Sequence, residues 1–429
     1  MADQMSSTSR INNVADARCL ARRALPRAVF DYIDGGAEDE VTMAENERAF
    51  RDVTFRPRMA TRAEVPDLTT TVLGTEISLP LLLAPCGLAR LMHPDGALGA
   101  ARAAKRAGTV SVLSTVAGTP PEGLAGEPGP RWFQLYAADR RIADALIRRA
   151  AASGFEALVV TVDTPVGGKR ERDARNGWAG LSLKLDLRTA ARLGPQVAVR
   201  PRWAIRMLGR TLTTLRQPPT PGRMPDPDEG LGASGTAPAA LDAVAATPAA
   251  APTPSQDSTG APTRAVASAG ALAMFASPFV WDDIAWMRER WTGSLLVKGV
   301  LSGDDAVRSA DAGADAVIVS NHGGRQLEGA PASLRVLPEV VEAAGHRLEV
   351  LLDGGVRRGG DVAKAVALGA RAVLIGRPYL YALAAAGETG VERMLEIFRT
   401  ELSRTLTLMG CHSVSDLDRT WIDGLGGHD

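Results

Sequence analysis

The residues able to do chemistry sit in short polar clusters that follow apolar runs. In Ser320-Asn321-His322-Gly323-Gly324-Arg325 an imidazole precedes a guanidinium by three residues. Imidazole titrates near neutral pH, so His322 suits a general base or acid. The chain has five histidines, and only His322 has such a setting; the plain alternative is a structural loop histidine. Asp163, in Thr161-Val162-Asp163, can pair with His322 and stabilise its charged form, or simply cap the following loop. Arg170 and Arg325 can grip a carboxylate through directional bonds, or form surface ion pairs. Lys298 ends the run SLLVKG, where a lone buried ammonium would be costly. It suits Schiff-base chemistry or charge stabilisation of a bound cofactor. Asp353-Gly354-Gly355-Val356-Arg357 and Gly376-Arg377 are glycine-rich turns that carry arginines. Glycine lets backbone N–H groups approach a phosphate closely, and arginine adds charge-assisted bonds.

These clusters need a scaffold that brings them together. Eight short apolar runs precede them: 80–85, 109–114, 131–136, 157–163, 294–299, 315–320, 349–354 and 372–376. Each is bounded by Gly, Asp or Pro, as expected of strands buried on both faces of a parallel sheet. Helix patterns lie between them at 94–107, 139–153, 303–312, 332–345 and 359–369. Eight alternating strand and helix units predict a (β/α)8 barrel with an N-terminal helical extension, in which loops at the C-terminal strand ends converge on one rim. Pro85, Cys86, Ser114, Gln134, Tyr136 and Thr161 then join the charged residues at that rim. A purely structural barrel has no need of so many polar side chains at one end.

Residues 1–429 read as a single domain with an insertion after the fourth strand. Within it, 181–216 holds eight Lys or Arg and one acid, Asp186, with apolar residues at near-helical spacing. This basic amphipathic segment fits an anionic membrane surface or a barrel-covering helix with a solvated face. Residues 217–275 are rich in Pro, Ala, Gly, Ser and Thr and are expected to form a flexible insertion. Basic and acidic residues balance at 49 each, so no global field favours nucleic acid. The three cysteines, Cys19, Cys86 and Cys411, have neither metal-ligand nor disulfide spacing and fit a reducing, cytoplasmic setting. The polar N-terminal stretch does not resemble a secretory signal, and no metal is expected.

Together the stretches FDYIDGGAEDE (30–40), WFQLY (132–136), TVDTPVGGKRERD (161–173), LLVKGVLSGDDA (295–306), SNHGGRQL (320–327) and DGGVRRGGDVAKAVALGARAVLIGRP (353–378) resemble the FMN-dependent 2-hydroxy acid oxidase and dehydrogenase family. FDYIDGGAEDE and the RERD segment resemble its mandelate dehydrogenase branch. PRWAIRML resembles part of the membrane-associating segment of mandelate and bacterial respiratory lactate dehydrogenases. The resemblance implies FMN as cofactor and a small 2-hydroxy acid as substrate. It implies that His322 takes the substrate proton, that Asp163 supports it, and that Tyr136 contacts the hydroxyl. Arg170, Arg325 and Tyr32 would hold the carboxylate. Lys298 would sit by the flavin N1/O2 edge. Pro85, Cys86, Ser114, Gln134 and Thr161 would line the ring, Asp353 would bind the ribityl chain, and Gly355, Arg357, Gly376 and Arg377 would hold the phosphate. It further implies a homotetramer, peripheral at the inner face of the cell membrane if the basic segment attaches there.

The sequence departs from the family pattern in three ways. Cys86 replaces a usual Thr, Val116 stands where some oxidases carry Trp, and 217–275 is unusually long. Gly87 resembles the mandelate dehydrogenase and lactate monooxygenase branches rather than the simple oxidases. The leading expectation is a dehydrogenase that passes electrons to quinone or another acceptor. The alternatives are an oxygen-using oxidase or monooxygenase, an enzyme acting on a peptide or natural-product intermediate, and a Schiff-base barrel lyase built on Lys298.

Overall fold

Continuous apolar runs become strands here because both of their faces are covered. The computed structural model describes residues 8–176 except 63 and 138, residues 187–216, of which 187–192 and 209–216 by backbone alone, and residues 279–424. Eight parallel strands close into a barrel: β1 (Leu81–Leu83), β2 (Ser111–Ser114), β3 (Arg131–Leu135), β4 (Ala157–Thr161), β5 (Ser294–Val300), β6 (Ala316–Val319), β7 (Glu349–Asp353) and β8 (Ala372–Ile375). They pair in chain order, and β8 closes on β1 through Leu374 and Leu82. All eight expected strands are present, each within a residue or two of its expected bounds.

Side chains alternate across the barrel wall, as strand geometry requires. Leu82, Val112, Val159, Leu296, Ile318, Leu351 and Leu374 fill the interior. Leu81, Leu83, Leu113, Val160, Val297, Val319 and Leu352 point outward into the helical layer. Each fully buried leucine contributes roughly 1.5–3 kcal/mol through removal from water. A hairpin of Thr70–Val72 and Thr75–Ile77 adds Val72 and Ile77 to the interior cluster, beside Val110, Trp132 and Ala157 at or near the strand starts. That end is filled with apolar side chains, which leaves polar residues the opposite rim.

Helices follow the local signals. Asp139 caps Arg140–Ala152 by accepting from Ile142 N at 2.9 Å, and Ser302 caps Gly303–Asp311 by accepting from Asp305 N at 3.1 Å. Among the described residues, helices α1 (Val14–Ala24), α2 (Arg27–Asp34) and α3 (Val41–Arg51) precede the barrel. Buried Asp34 ties α2 in place. It accepts from Arg18 Nε at 2.5 Å, Arg18 Nη2 at 2.7 Å, Arg172 Nη1 at 2.8 Å and Tyr381 Oη at 2.8 Å. The last helix, Arg377–Met409, is kinked where Ala386 and Gly387 leave helical geometry.

The basic segment forms two helices, α4 (Leu187–Ala198) and α5 (Pro201–Arg216), where the sequence suggested one. Pro201 opens the second, a position where its missing N–H costs nothing. Residues 181–186 and the low-complexity stretch 217–275 lie outside the described residues. Among the described residues, no helix is long and apolar enough to cross a membrane, and no cluster of candidate metal ligands occurs.

Candidate active site

The C-terminal rim of the barrel opens into a cleft between the strand ends and α2. At its centre the chain leaving β6 turns sharply. His322, Gly323 and Gly324 are all left-handed, with φ of 58°, 65° and 72°. For a non-glycine residue this costs on the order of 1–3 kcal/mol and persists only where the surroundings enforce it. Here His322 N donates to Ser320 Oγ at 3.0 Å. The imidazole Nδ1 meets Asp163 Oδ1 at 2.9 Å, and Nε2 faces Tyr136 Oη at 3.3 Å. Burial pushes the Asp163 carboxyl upward, but His322 and then Lys298 hold it below its ordinary value. An ionised Asp163 keeps the proton on Nδ1 and leaves the Nε2 lone pair toward Tyr136 and the cleft. Burial, reinforced by Asp163, raises the Tyr136 phenol well above its ordinary value, so it stays protonated and can donate.

Beside this pair lie two guanidinium groups. Arg325 Nη1 donates to the Tyr32 and Gly35 carbonyls, both at 2.8 Å, and its guanidinium carbon lies 5.2 Å from the Tyr32 ring centre. Arg170 also lines the cleft, 3.7 Å from Asp173. Burial and then repulsion from Arg325 lower the Arg170 pKa. Two cations held together at a partly dry surface favour an anion between them, and their planar donors match a carboxylate.

Between the ends of β4 and β6, strand β5 carries Lys298, with Nζ 2.9 Å from Asp353 Oδ2 and 2.7 Å from Ser320 Oγ. Ser320 Oγ donates to Asp353 Oδ1 at 2.6 Å, closing a buried triangle. Burial disfavours the ammonium, but Asp353 and Asp163 outweigh it and raise the Lys298 pKa. A lysine held this firmly protonated is a poor amine nucleophile, so the Schiff-base expectation loses its basis.

Pro85, Cys86, Gly87, Ser114 and Val116 line the next part of the cleft. Behind them, Gln134 accepts from Ser114 Oγ at 2.9 Å and donates to Thr161 Oγ1 at 3.0 Å, which fixes its amide. Gly354, Gly355 and Gly376 supply backbone at the far end. A Cβ on Gly376 would lie 3.4 Å from Cys86 Sγ, and Gly355 has a φ of 82° that favours glycine. Arg357 and Arg377 stand there too, each already engaged. Arg357 pairs with Glu47 at 3.0 Å. Arg377 donates to the carbonyls of Ile33, Gly323 and Gly35 at 3.2, 2.9 and 2.9 Å. Burial, with repulsion from Arg325 and Arg357, lowers the Arg377 pKa to about 10.

Every residue singled out from sequence therefore borders this one cleft, except Asp163, Gln134 and Thr161, which stand behind its lining. Sequence reasoning gave no role to Ser320, Gln326, Thr164, Leu380 or Asn46. Ser320 stood in a marked motif, but only folding brings its hydroxyl between Lys298 and Asp353. Asn46 lies on α3 and exchanges side-chain hydrogen bonds with Asn321 at 2.8 and 2.9 Å, a pairing across 275 positions with no local sequence signal. The set of a protonated lysine, a fixed amide and hydroxyls, a glycine-lined end and two arginines fits a flat heteroaromatic ring with a phosphorylated tail.

The profile of the FMN-dependent dehydrogenase family matches residues 21–424. The chain is 41% identical to an L-lactate dehydrogenase of Caulobacter vibrioides, over 96% of this chain and 97% of that protein. It is 38% identical to glycolate oxidase 5 of Oryza sativa subsp. japonica, over 96% and 95%. Among solved structures it resembles the monotopic membrane protein (S)-mandelate dehydrogenase, with a TM-score of 0.78 and 36% identity, covering 96% of this chain and 99% of that one.

Proposed function

The chain belongs to the FMN-dependent dehydrogenase family, and from that premise we propose that it oxidises an L-2-hydroxy acid of lactate or mandelate type to the 2-oxo acid. The observation that carries this reading is the Asp163–His322 pair beside Arg170 and Arg325 in one cleft. FMN, when bound, supplies a two-electron acceptor for the oxidation.

The protein's residues do the rest. Arg170 and Arg325 bind the substrate carboxylate, with Tyr32 beside them, and so orient the 2-carbon. His322 Nε2 takes the substrate proton, and Asp163 stabilises the resulting imidazolium. Tyr136, kept protonated, contacts the substrate hydroxyl. Lys298 would lie at the cofactor's edge, where its ammonium would favour negative charge. Pro85, Cys86, Ser114, Gln134 and Thr161 would hold the ring, Asp353 the sugar-like chain, and Gly355, Arg357, Gly376 and Arg377 the phosphate end. Gly87 lets Tyr32 and Val116 approach the cleft floor closely, since a Cβ there would lie 3.0 Å from both Tyr32 Oη and Val116 Cγ2.

The electrons pass to quinone or another carrier at a membrane surface. Support comes from the outer face of α5 and the loop that precedes it. Val199, Ile205 and Leu208 are 65%, 69% and 62% exposed, and Arg10, Arg23, Arg200, Arg202 and Arg206 line an adjoining groove. Exposed apolar residues ringed by arginines suit an anionic lipid surface. A homotetramer belongs to the same reading, and light scattering on the 45.0 kDa chain checks it.

The test is anaerobic mixing of the FMN-loaded enzyme with both enantiomers of lactate, mandelate and glycerate, following the flavin band. Bleaching by L-substrates alone is expected. No bleaching by any 2-hydroxy acid would remove the proposal, and hydrogen peroxide release in air would reassign the acceptor to oxygen.

A further inference from the structure

The two arginines that face the cleft come from different loops. Arg170 lies on the loop after β4, which also carries Asp163; Arg325 lies on the loop after β6, which also carries His322. Their relative placement therefore depends on what joins the loops. One side chain does so at three points. Gln326 Nε2 donates to the Asp163 carbonyl at 3.1 Å and to the Val166 carbonyl at 2.9 Å, and Gln326 Oε1 accepts from Gly168 N at 3.1 Å. Gly168 permits the contact. A Cβ there would lie 2.2 Å from the Arg325 carbonyl oxygen and 2.7 Å from Gln326 Cα. The segment after α2 adds a second tie, since Ala37 N donates to Gly324 O and Glu38 N to Lys169 O, both at 2.8 Å.

We propose that Gln326 is a positioning residue that clamps the Asp163/Arg170 loop to the His322/Arg325 loop and thereby sets the spacing of the carboxylate grip. Its amide uses both donor and acceptor on the backbone of the neighbouring loop, so it fixes that loop's position. Val166, at the loop's outer edge, is 72% exposed, so little apolar packing holds this stretch and the hydrogen bonds bear the task. A displacement of about 1 Å in a positioning group can cost up to 10²-fold in rate, so a clamp of this kind matters to turnover. The inference rests on the reading of Arg170 and Arg325 as the carboxylate grip.

The test uses the FMN-loaded enzyme and the 2-oxo acids pyruvate and benzoylformate as unreactive probes, titrated by their effect on the flavin spectrum. Gln326→Met keeps the side-chain bulk and removes all three bonds. Its expected effect is a loss of probe affinity of about ten-fold, with FMN content and urea midpoint near the parent. In an Arg170→Met background the same change is expected to cost little further, because the residue acts through Arg170. Unchanged affinity, or an equal loss in both backgrounds, overturns the proposal. Amide exchange supplies a second measurement. Residues 163–170 should exchange faster in Gln326→Met, and unchanged protection also counts against the clamp. If the parent enzyme binds neither probe, the carboxylate reading fails, while the exchange result still decides whether Gln326 holds the loop.

Discussion

At the scale of single residues, Asp163 divides its work between two oxygens. Oδ1 holds His322, and Oδ2 is buried without a hydrogen-bond partner among the described residues. An ionised carboxylate with one bare oxygen is tolerable because His322 and then Lys298 offset its burial. Asp163→Asn should therefore lower the rate of flavin reduction by about 10²-fold or more, with FMN still bound, as measured by anaerobic stopped-flow. A rate within a few-fold of the parent would remove Asp163 from the proposed mechanism. His322, Arg325, Lys298 and the glycine turns were legible in the sequence because each follows an apolar run that must be a strand. Arg377 shows the limit of that reasoning. Its position beside Gly376 suggests an anion contact, yet its three N–H partners are carbonyls from α2, the segment after it and the β6 loop, which local sequence does not announce.

At the scale of elements, the strands were readable and the N-terminal attachment was not. Runs such as ALVVTVD and AVLIG are apolar on both faces and have few other places to go. The seat of α2, which brings Tyr32 to the cleft, depends on Asp34 meeting Arg18, Arg172 and Tyr381, spread across nearly the whole chain. Burial raises the Asp34 carboxyl, but the bonds from Arg18 and Tyr381 prevail and hold it below its ordinary 3.8. A carboxyl lowered by folding contributes stability that is fully present above its unfolded value and is lost as pH falls toward the folded one. Acidification below roughly pH 4 should therefore loosen α1 and α2. Asp34→Asn should be less stable at neutral pH and show a shallower fall in urea midpoint on acidification. Parallel pH profiles for the two proteins would contradict this. The division of the basic segment into α4 and α5 had a sequence signal in Pro201 that the periodicity of apolar residues obscured.

At the scale of the whole molecule, the barrel separates two tasks. Its rim gathers the residues proposed for chemistry, while α4 and α5 dock on the N-terminal helices. Ala28 N donates to Gln196 Oε1 at 2.9 Å, and Arg200 Nε donates to Leu25 O at 3.2 Å. Trp203 Nε1 donates to Leu91 O at 2.9 Å, which joins α5 to the stretch that follows Cys86 and Gly87. The proposed membrane face thus lies on elements continuous with the cleft wall. Vesicle flotation checks that face. The protein should float with anionic vesicles at low salt and much less with neutral ones, and Ile205→Asp with Leu208→Asp should abolish flotation while leaving flavin reduction intact. Equal recovery with both lipids would contradict an arginine-guided surface.

The central claim is that His322 is the base for a 2-hydroxy acid bound in this cleft. Its most direct measurement is the absorbance of the flavin band in FMN-loaded His322→Ala and parent proteins, mixed anaerobically with the preferred L-2-hydroxy acid. Equal FMN content in both proteins is expected, with rapid bleaching in the parent and bleaching slowed by about 10²–10⁴-fold in His322→Ala. Bleaching at the parent rate in the variant would contradict it.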